Sequence, residues 1–140
     1  KRLIGSVGLA IAGGTPSPYT RTTSFVIACG AEDEVLTTGT KVTFRLPYAY
    51  TITEVRASLT TAGTGANLVT LMFEQNGTDI LSTAITIDAG ETTSTTASTP
   101  PVISTSALTD DASIDCDVDQ IDSGGVSAGL KMYLIGYKTL

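Results

Sequence analysis

The sequence contains no histidine and no tryptophan. Without imidazole the chain cannot build a Ser-His-Asp or Cys-His nucleophile system, nor a zinc site with histidine ligands. Charge is also scarce, since 16% of the residues are charged, against about 25% in a typical soluble domain. With 8 basic and 14 acidic residues the net charge is −6. Such a chain repels phosphate backbones, so we expect no nucleic-acid partner.

Long apolar runs and phosphate-binding loops are missing as well. No stretch approaches the roughly 18 apolar residues of a membrane span, so we expect no membrane partner. Gly63-Thr64-Gly65 lacks the lysine and the helix of a phosphate loop, and no cofactor is expected. The two cysteines, Cys29 and Cys116, lie far apart in separate strand-like segments. They are interpreted as buried thiols, with a disulfide as the alternative.

Threonine and serine take the place of charge, with 25 Thr and 12 Ser in the 140 residues. Short segments of alternating or continuous apolar character recur between Gly, Pro, Asn and Asp, and no helical periodicity exceeds two turns. This pattern predicts an all-β fold, an antiparallel β-sandwich that is jelly-roll-like and carries an extended N-terminal arm. The predicted strands cover residues 25–29, 41–46, 51–59, 68–75, 78–87, 92–99, 102–103, 113–118 and 130–137. The Asn-Gly pair at 76–77 predicts a tight hairpin turn.

Alternation within residues 51–59 predicts which side chains of that strand face inward. Thr53, Val55, Ala57 and Leu59 fall on one face, and the residues between them fall on the other. We therefore expect the first set to point into the core.

Composition divides the chain into an apolar arm with a Gly/Pro linker over residues 1–18 and a β-sandwich domain over residues 19–140. The linker, residues 13–18 (GGTPSP), can continue neither a helix nor a central strand. The first twelve residues imitate the end of a signal peptide. The preferred interpretation is an extended arm that packs on a partner. Its docking residues are predicted to be Leu3, Ile4, Val7, Leu9 and Ile11.

Three carboxylates alternate along one predicted strand. Asp115, Asp117 and Asp119 have the spacing that begins a calcium loop, but no glycine follows at the sixth loop position. The preferred interpretation is a solvated strand face, with the intervening apolar residues pointing inward. Calcium bound between subunits is kept as the weaker alternative, because three like charges on one face repel. No metal site is otherwise expected.

Two loop tyrosines are candidates for surface recognition. Tyr48 and Tyr50 follow Pro47, and exposed tyrosines stack on sugars or on partner proteins. The alternative interpretation is that they are half-buried corner residues near strand ends. The carboxylates of Glu54 and Glu74 each occupy an outward position of their own strand, so a hydrolytic pair is not expected.

Residues 36–59 (LTTGTKVTFRLPYAYTITEVRASL) resemble a recurrent small virion protein of tailed bacteriophages. Further matches are residues 80–83 (ILST), residues 87–94 (IDAGETTS) and the region from 108 to 131. The resemblance covers residues 24–138 and leaves the arm outside it. It implies a place in the virion and carries no catalytic or cofactor residues.

The residues and the resemblance together predict a non-enzymatic virion structural protein that decorates the capsid or forms part of a head or tail fibre. We expect a homotrimer that docks through its N-terminal arm. The expected partners are its own subunits, the major capsid protein, or a fibre or tail component. Two alternatives are kept: a carbohydrate-binding adhesion module using Tyr48, Tyr50 and the loop at 63–66, and a bacterial surface or pilus-like subunit with a donated strand.

Overall fold

The computed structural model describes residues 21–140. Eleven strands and one short 3₁₀ helix, Ser94–Thr96, make up its regular structure. The strands are β1 (Thr23–Ala28), β2 (Gly39–Arg45), β3 (Tyr50–Ser58), β4 (Val69–Gln75), β5 (Thr78–Asp79), β6 (Leu81–Thr83), β7 (Ile85–Ile87), β8 (Val102–Ile103), β9 (Ala107–Leu108), β10 (Ser113–Gln120) and β11 (Lys131–Lys138).

Two antiparallel sheets face each other. The first has the order β1-β11-β3-β9, and the second has the order β2-β10-β4 with β5 and β7 both paired to β4. Setting aside β5, β6 and β8, the eight remaining strands can be lettered B to I along the chain. Their sheets then read B-I-D-G and C-H-E-F, which is the strand order of a jelly roll. The predicted antiparallel, jelly-roll-like sandwich is therefore confirmed.

The core lies between the inner faces of the two sheets. The central strands β11 and β10 contribute side chains that are fully buried, among them Met132, Leu134, Ile114 and Cys116, each 0% exposed. The two small strands β6 and β8 form a separate ribbon that lies outside the two sheets' pairing order. In the described part of the chain, no helix is long and apolar enough to cross a membrane.

A β-bulge corrects the predicted alternation of β3. Ile135 pairs with Glu54 while the next residue, Gly136, pairs with Ile52, so Thr53 is the extra residue. Ile52 is consequently buried and Thr53 is exposed, opposite to the prediction. From Val55 onward the inner-face residues are the predicted ones. One inserted residue reverses the facing of every residue beyond it, because the side-chain period of a strand is two.

Two predicted strands are wrong. Residues 78–87 form three short strands, because consecutive residues Ile80 and Leu81 are both buried and a single strand cannot point neighbours to one face. Residues 92–99 contain the 3₁₀ helix Ser94–Thr96 instead of a strand, and the helix is capped by the Thr93 hydroxyl, which accepts a hydrogen bond from the Thr95 amide. Serine and threonine side chains compete with the strand ladder in this way.

One buried carboxylate ties two loops together at the end of the sandwich. Asp122 is 2% exposed and accepts hydrogen bonds from the amides of Thr64 (3.0 Å), Val126 (3.1 Å) and Ser127 (3.2 Å) and from the Ser127 hydroxyl. Burial alone would raise the pKa of this carboxyl, but the four hydrogen bonds outweigh it and hold the pKa well below its usual range. The loop at 63–66 is therefore a fixed structural element.

Candidate assembly surface

Among residues 21–140, the core of the sandwich is least covered along the side where the edge strands β1 and β2 lie. Phe25 and Ile27 of β1 pair with Leu134 and Met132, so they point to the inner face, yet they are only half-buried while those two partners are 0% exposed. Since inner-face apolar groups are normally enclosed, this side has less cover than the rest of the core.

The same holds in the facing sheet. Val42 and Phe44 of β2 pair with Cys116 and Ile114, both 0% exposed, but are themselves half-buried. Phe44 approaches Phe25 across the opening with ring centroids 6.4 Å apart. We call Phe25, Ile27, Val42 and Phe44 the β1–β2 seam. The opposite side of the sandwich lacks such a gap, because Ile80, Leu81 and Leu108 there are 1–3% exposed.

The β1 strand itself carries none of the residue types that normally protect an edge strand. Its six residues, TSFVIA, include no charge, proline or glycine, whereas β2 carries Lys41 and Arg45. Within the described chain, β1 pairs only with β11. An uncharged free edge is a template for pairing with another strand. The apolar character continues on the outer face, where Val26 is 57% exposed beside Tyr133.

The two tyrosines selected from the sequence lie at the end of the seam. Tyr50 is 0% exposed, stacks edge-on against Phe25 at 4.9 Å, and donates a hydrogen bond to the Thr23 carbonyl at 2.8 Å. Its interpretation as a surface recognition residue is therefore wrong, because the first inner-face position of β3 puts it in the core. Tyr48 is half-buried and lies under the Lys138 ammonium, 5.0 Å from the ring centroid. The structure leaves no tyrosine pair for a glycan at this corner.

The aspartates of β10 differ from the predicted solvated face at one position. Asp115 is half-buried and accepts a hydrogen bond from Thr43 at 2.6 Å, and Asp119 is exposed, but Asp117 is only 8% exposed. Asp117 lies on a central strand between Thr40 and Met72, so neighbours on both sides cover it.

The Oδ1 atom of Asp117 is buried without a hydrogen-bond partner. The Glu74 carboxyl lies within hydrogen-bonding reach of it, and this contact, with burial and the nearby charges of Asp117, Asp79 and Asp115, raises the pKa of Glu74. Burial and the neighbouring carboxylates likewise raise the pKa of Asp119. Over residues 21–140 no group of three or more acidic or cysteine side chains is arranged to hold a metal ion.

The two cysteines lie together between the sheets. Cys29 follows β1 and is half-buried, Cys116 is fully buried on β10, and both are free thiols within hydrogen-bonding reach of each other. The contact with Cys116, the Met132 amide and the Lys41 charge lower the pKa of Cys29 against the opposing effect of burial. The contact with Cys29 and burial raise the pKa of Cys116. The spacing of the two cysteines in the sequence does not show whether their thiols lie close together.

A shallow groove of about 670 Å³ crosses the outer face of β3, between Arg56 and the segment around Pro101 and Val102. Arg56 and Glu54 form an ion pair on its floor, with Nε and Oε2 2.5 Å apart, and the Glu54 carboxylate raises the pKa of Arg56. The pair neutralises its own charge, so the groove presents no free charge from these two residues.

The predicted docking residues Leu3, Ile4, Val7, Leu9 and Ile11 lie outside the described residues. The sequence pattern does not reveal the seam, because alternation identifies its four side chains as core without showing which strands lie at the edge of each sheet. Comparison with known proteins adds no assignment: no family model, no curated protein and no solved structure matches the chain.

Proposed function

We propose that this chain is a non-enzymatic structural protein of a bacteriophage virion, which decorates the capsid or forms part of a head or tail fibre. Its proposed mode of assembly is strand addition at β1 by an N-terminal arm. The observation that carries the proposal is the β1–β2 seam, an apolar opening bordered by an uncharged free edge. The virion assignment depends on the resemblance over residues 24–138, and the jelly-roll order agrees with it, since viral capsid domains use this fold.

The arm has the chemistry that the seam requires. Residues 3–11 (LIGSVGLAI) carry five large apolar side chains and no charge, and they are long enough to run the full length of the six-residue β1 edge. Strand addition would pair the arm backbone with β1 and place alternate arm side chains over the seam. Leu3, Val7, Leu9 and Ile11 would share one face of such a strand, and burying these four side chains is worth on the order of 5–10 kcal/mol before the cost of ordering the arm.

The proposed occupant of the seam is the arm of a second copy. If each arm lies on β1 of the next copy, the contact is head-to-tail, and a head-to-tail contact closes as a ring when the rotation allows. A ring of three gives the expected homotrimer. The linker at 13–18, with its glycines and prolines, would set the direction in which the arm leaves its own domain.

Light scattering on the purified chain tests the exchange. The full chain should be trimeric, and a variant lacking residues 1–14 should be a folded monomer, because the deletion leaves the sandwich intact. Ile27→Lys in the seam should also give monomers. The control Val102→Lys alters a 50% exposed valine of β8, outside the seam, and should leave the trimer unchanged. A trimer that survives the deletion, or a monomeric full chain, would contradict arm exchange.

Particle incorporation tests the virion role separately. Co-produced with the structural proteins of its phage, the full chain should cosediment with assembled particles. The variant lacking residues 1–14 should remain in the soluble fraction. Equal incorporation of both forms would rule out docking through the arm, and incorporation of neither would rule out the structural role.

A further inference from the structure

The two thiols belong to different sheets and converge inside the sandwich. Cys29 continues the inner-face positions of β1 after Phe25 and Ile27, and its amide donates to the Leu130 carbonyl at 2.9 Å. Cys116 occupies an inner-face position of β10, opposite Val42 of the neighbouring strand. A covalent bond between them would therefore join the two sheets at the β1–β2 side.

Their exposures differ in a way that suits stepwise oxidation. Cys29 lies at a narrow opening lined by Glu34, Leu36 and Lys41, while Cys116 is 0% exposed behind it. A thiol at the surface beside a cation is the one that a reagent can reach, and a second thiol in contact with it can complete the reaction.

We propose that Cys29 and Cys116 are an oxidation site that forms a disulfide across the sandwich when the chain meets a small-molecule disulfide. The Cys29 thiolate attacks one sulfur of the reagent, the reagent's sulfur–sulfur bond breaks, and one thiolate leaves. Cys116 then gives its proton to solvent and attacks the Cys29 sulfur, which expels the second reagent thiol. Two protein thiols are oxidised and one reagent disulfide is reduced to two thiols.

The lowered pKa of Cys29 and the raised pKa of Cys116 agree with this order of attack. The bond would close a loop of nearly ninety residues, and long loops restrict the unfolded chain most. It would also anchor the end of the uncharged edge strand β1 to a central strand of the other sheet. The proposal is independent of the virion role.

Oxidised glutathione is the test reagent, applied to the folded full chain, followed by alkylation of the remaining thiols and mass spectrometry. The expected product has lost two hydrogens, contains no alkylated cysteine, and yields one cross-linked peptide joining residues 29 and 116. On a non-reducing gel the product should migrate as a single chain, because no disulfide joins it to a second copy. Its thermal midpoint should rise on the order of 10 °C and return on reduction.

Single variants separate the two steps. Cys116→Ala should stop at a glutathione adduct on Cys29, and Cys29→Ala should leave Cys116 unreactive until the chain is unfolded in urea. Cys116→Ser serves if the alanine variant folds poorly. A stable glutathione adduct on wild-type Cys29, a link between chains, or no reaction in the folded state would each overturn the proposal.

Discussion

Replacing Asp122 should destabilise the fold more than any other single change of an acidic side chain. The carboxylate accepts four hydrogen bonds from the 64 and 126–127 segments, and it is 2% exposed while Ser127 is 0% exposed. In Asp122→Ala these donors lose their acceptor, and each unsatisfied buried donor costs about 1–3 kcal/mol. Allowing for water entering the space, we expect a loss of about 3–5 kcal/mol, a large fraction of the ~5–15 kcal/mol that holds a domain folded.

Asp122→Asn is the sharper variant, because it keeps the shape and removes the charge. The amide group can accept hydrogen bonds on one side only, so its NH₂ faces two donors on the other. The expected loss is about 2–3 kcal/mol. As a matched control, Asp33→Asn changes an exposed carboxylate and should stay within about 0.5 kcal/mol of wild type.

The pH dependence identifies the cause. Because the folded-state pKa of Asp122 is lowered, the unfolded chain binds more protons as the pH falls below about 4, and the stabilisation is present above that pH and lost below it. The gap in unfolding free energy between wild type and Asp122→Asn should therefore be full near neutral pH and narrow under acid. Urea unfolding at a series of pH values measures it. A gap that stays constant with pH, or a loss under about 1 kcal/mol, would refute this account.

Three further changes test other parts of the fold. Glu74→Gln should stabilise the fold at neutral pH but not at low pH, which urea unfolding at several pH values measures. The raised pKa of Glu74 means that its ionisation beside Asp117 destabilises the folded state above the unfolded-state pKa. Gly136→Ala should lower the free energy of unfolding by several kcal/mol in the same assay at one pH. An added Cβ would collide with the Thr51 carbonyl oxygen and lie 2.8 Å from the Ile52 Cα. Tyr50→Phe should lose about 1–2 kcal/mol, because it removes the hydroxyl that donates to the Thr23 carbonyl and also lies 3.2 Å from the Thr23 hydroxyl, and an unchanged stability would contradict this expectation.

Local pattern predicted the longer strands of the two sheets. The strands at β2, β4, β10 and β11 agree with the predicted strands within a few residues, because period-two alternation reflects burial on one face. The hairpin at Asn76 and Gly77 also follows from local chemistry, since both residues adopt positive φ values of 51° and 82°. Such features need no knowledge of the distant chain.

Features that depend on distant partners could not be predicted. The bulge at Thr53 is set by Gly136, more than eighty residues away, and Asp117 is buried by its two neighbouring strands. The contact between Cys29 and Cys116 likewise arises only when the two sheets stack. In each case the sequence shows the residue, and the fold supplies the surroundings that give it its chemistry.

The β1–β2 seam is also a feature that depends on distant parts of the chain. Alternation alone assigns Phe25, Ile27, Val42 and Phe44 to the core, and their pairing confirms that they point there. β1 and β2 are consecutive in the chain yet end different sheets, and local alternation does not show that these two strands are the edges where the core is less covered. β1 is the first described strand of the domain, and our proposal is that the apolar segment over residues 3–11 of a second copy covers this opening. Deleting residues 1–14 therefore tests whether the apolar N-terminal segment is what covers the seam.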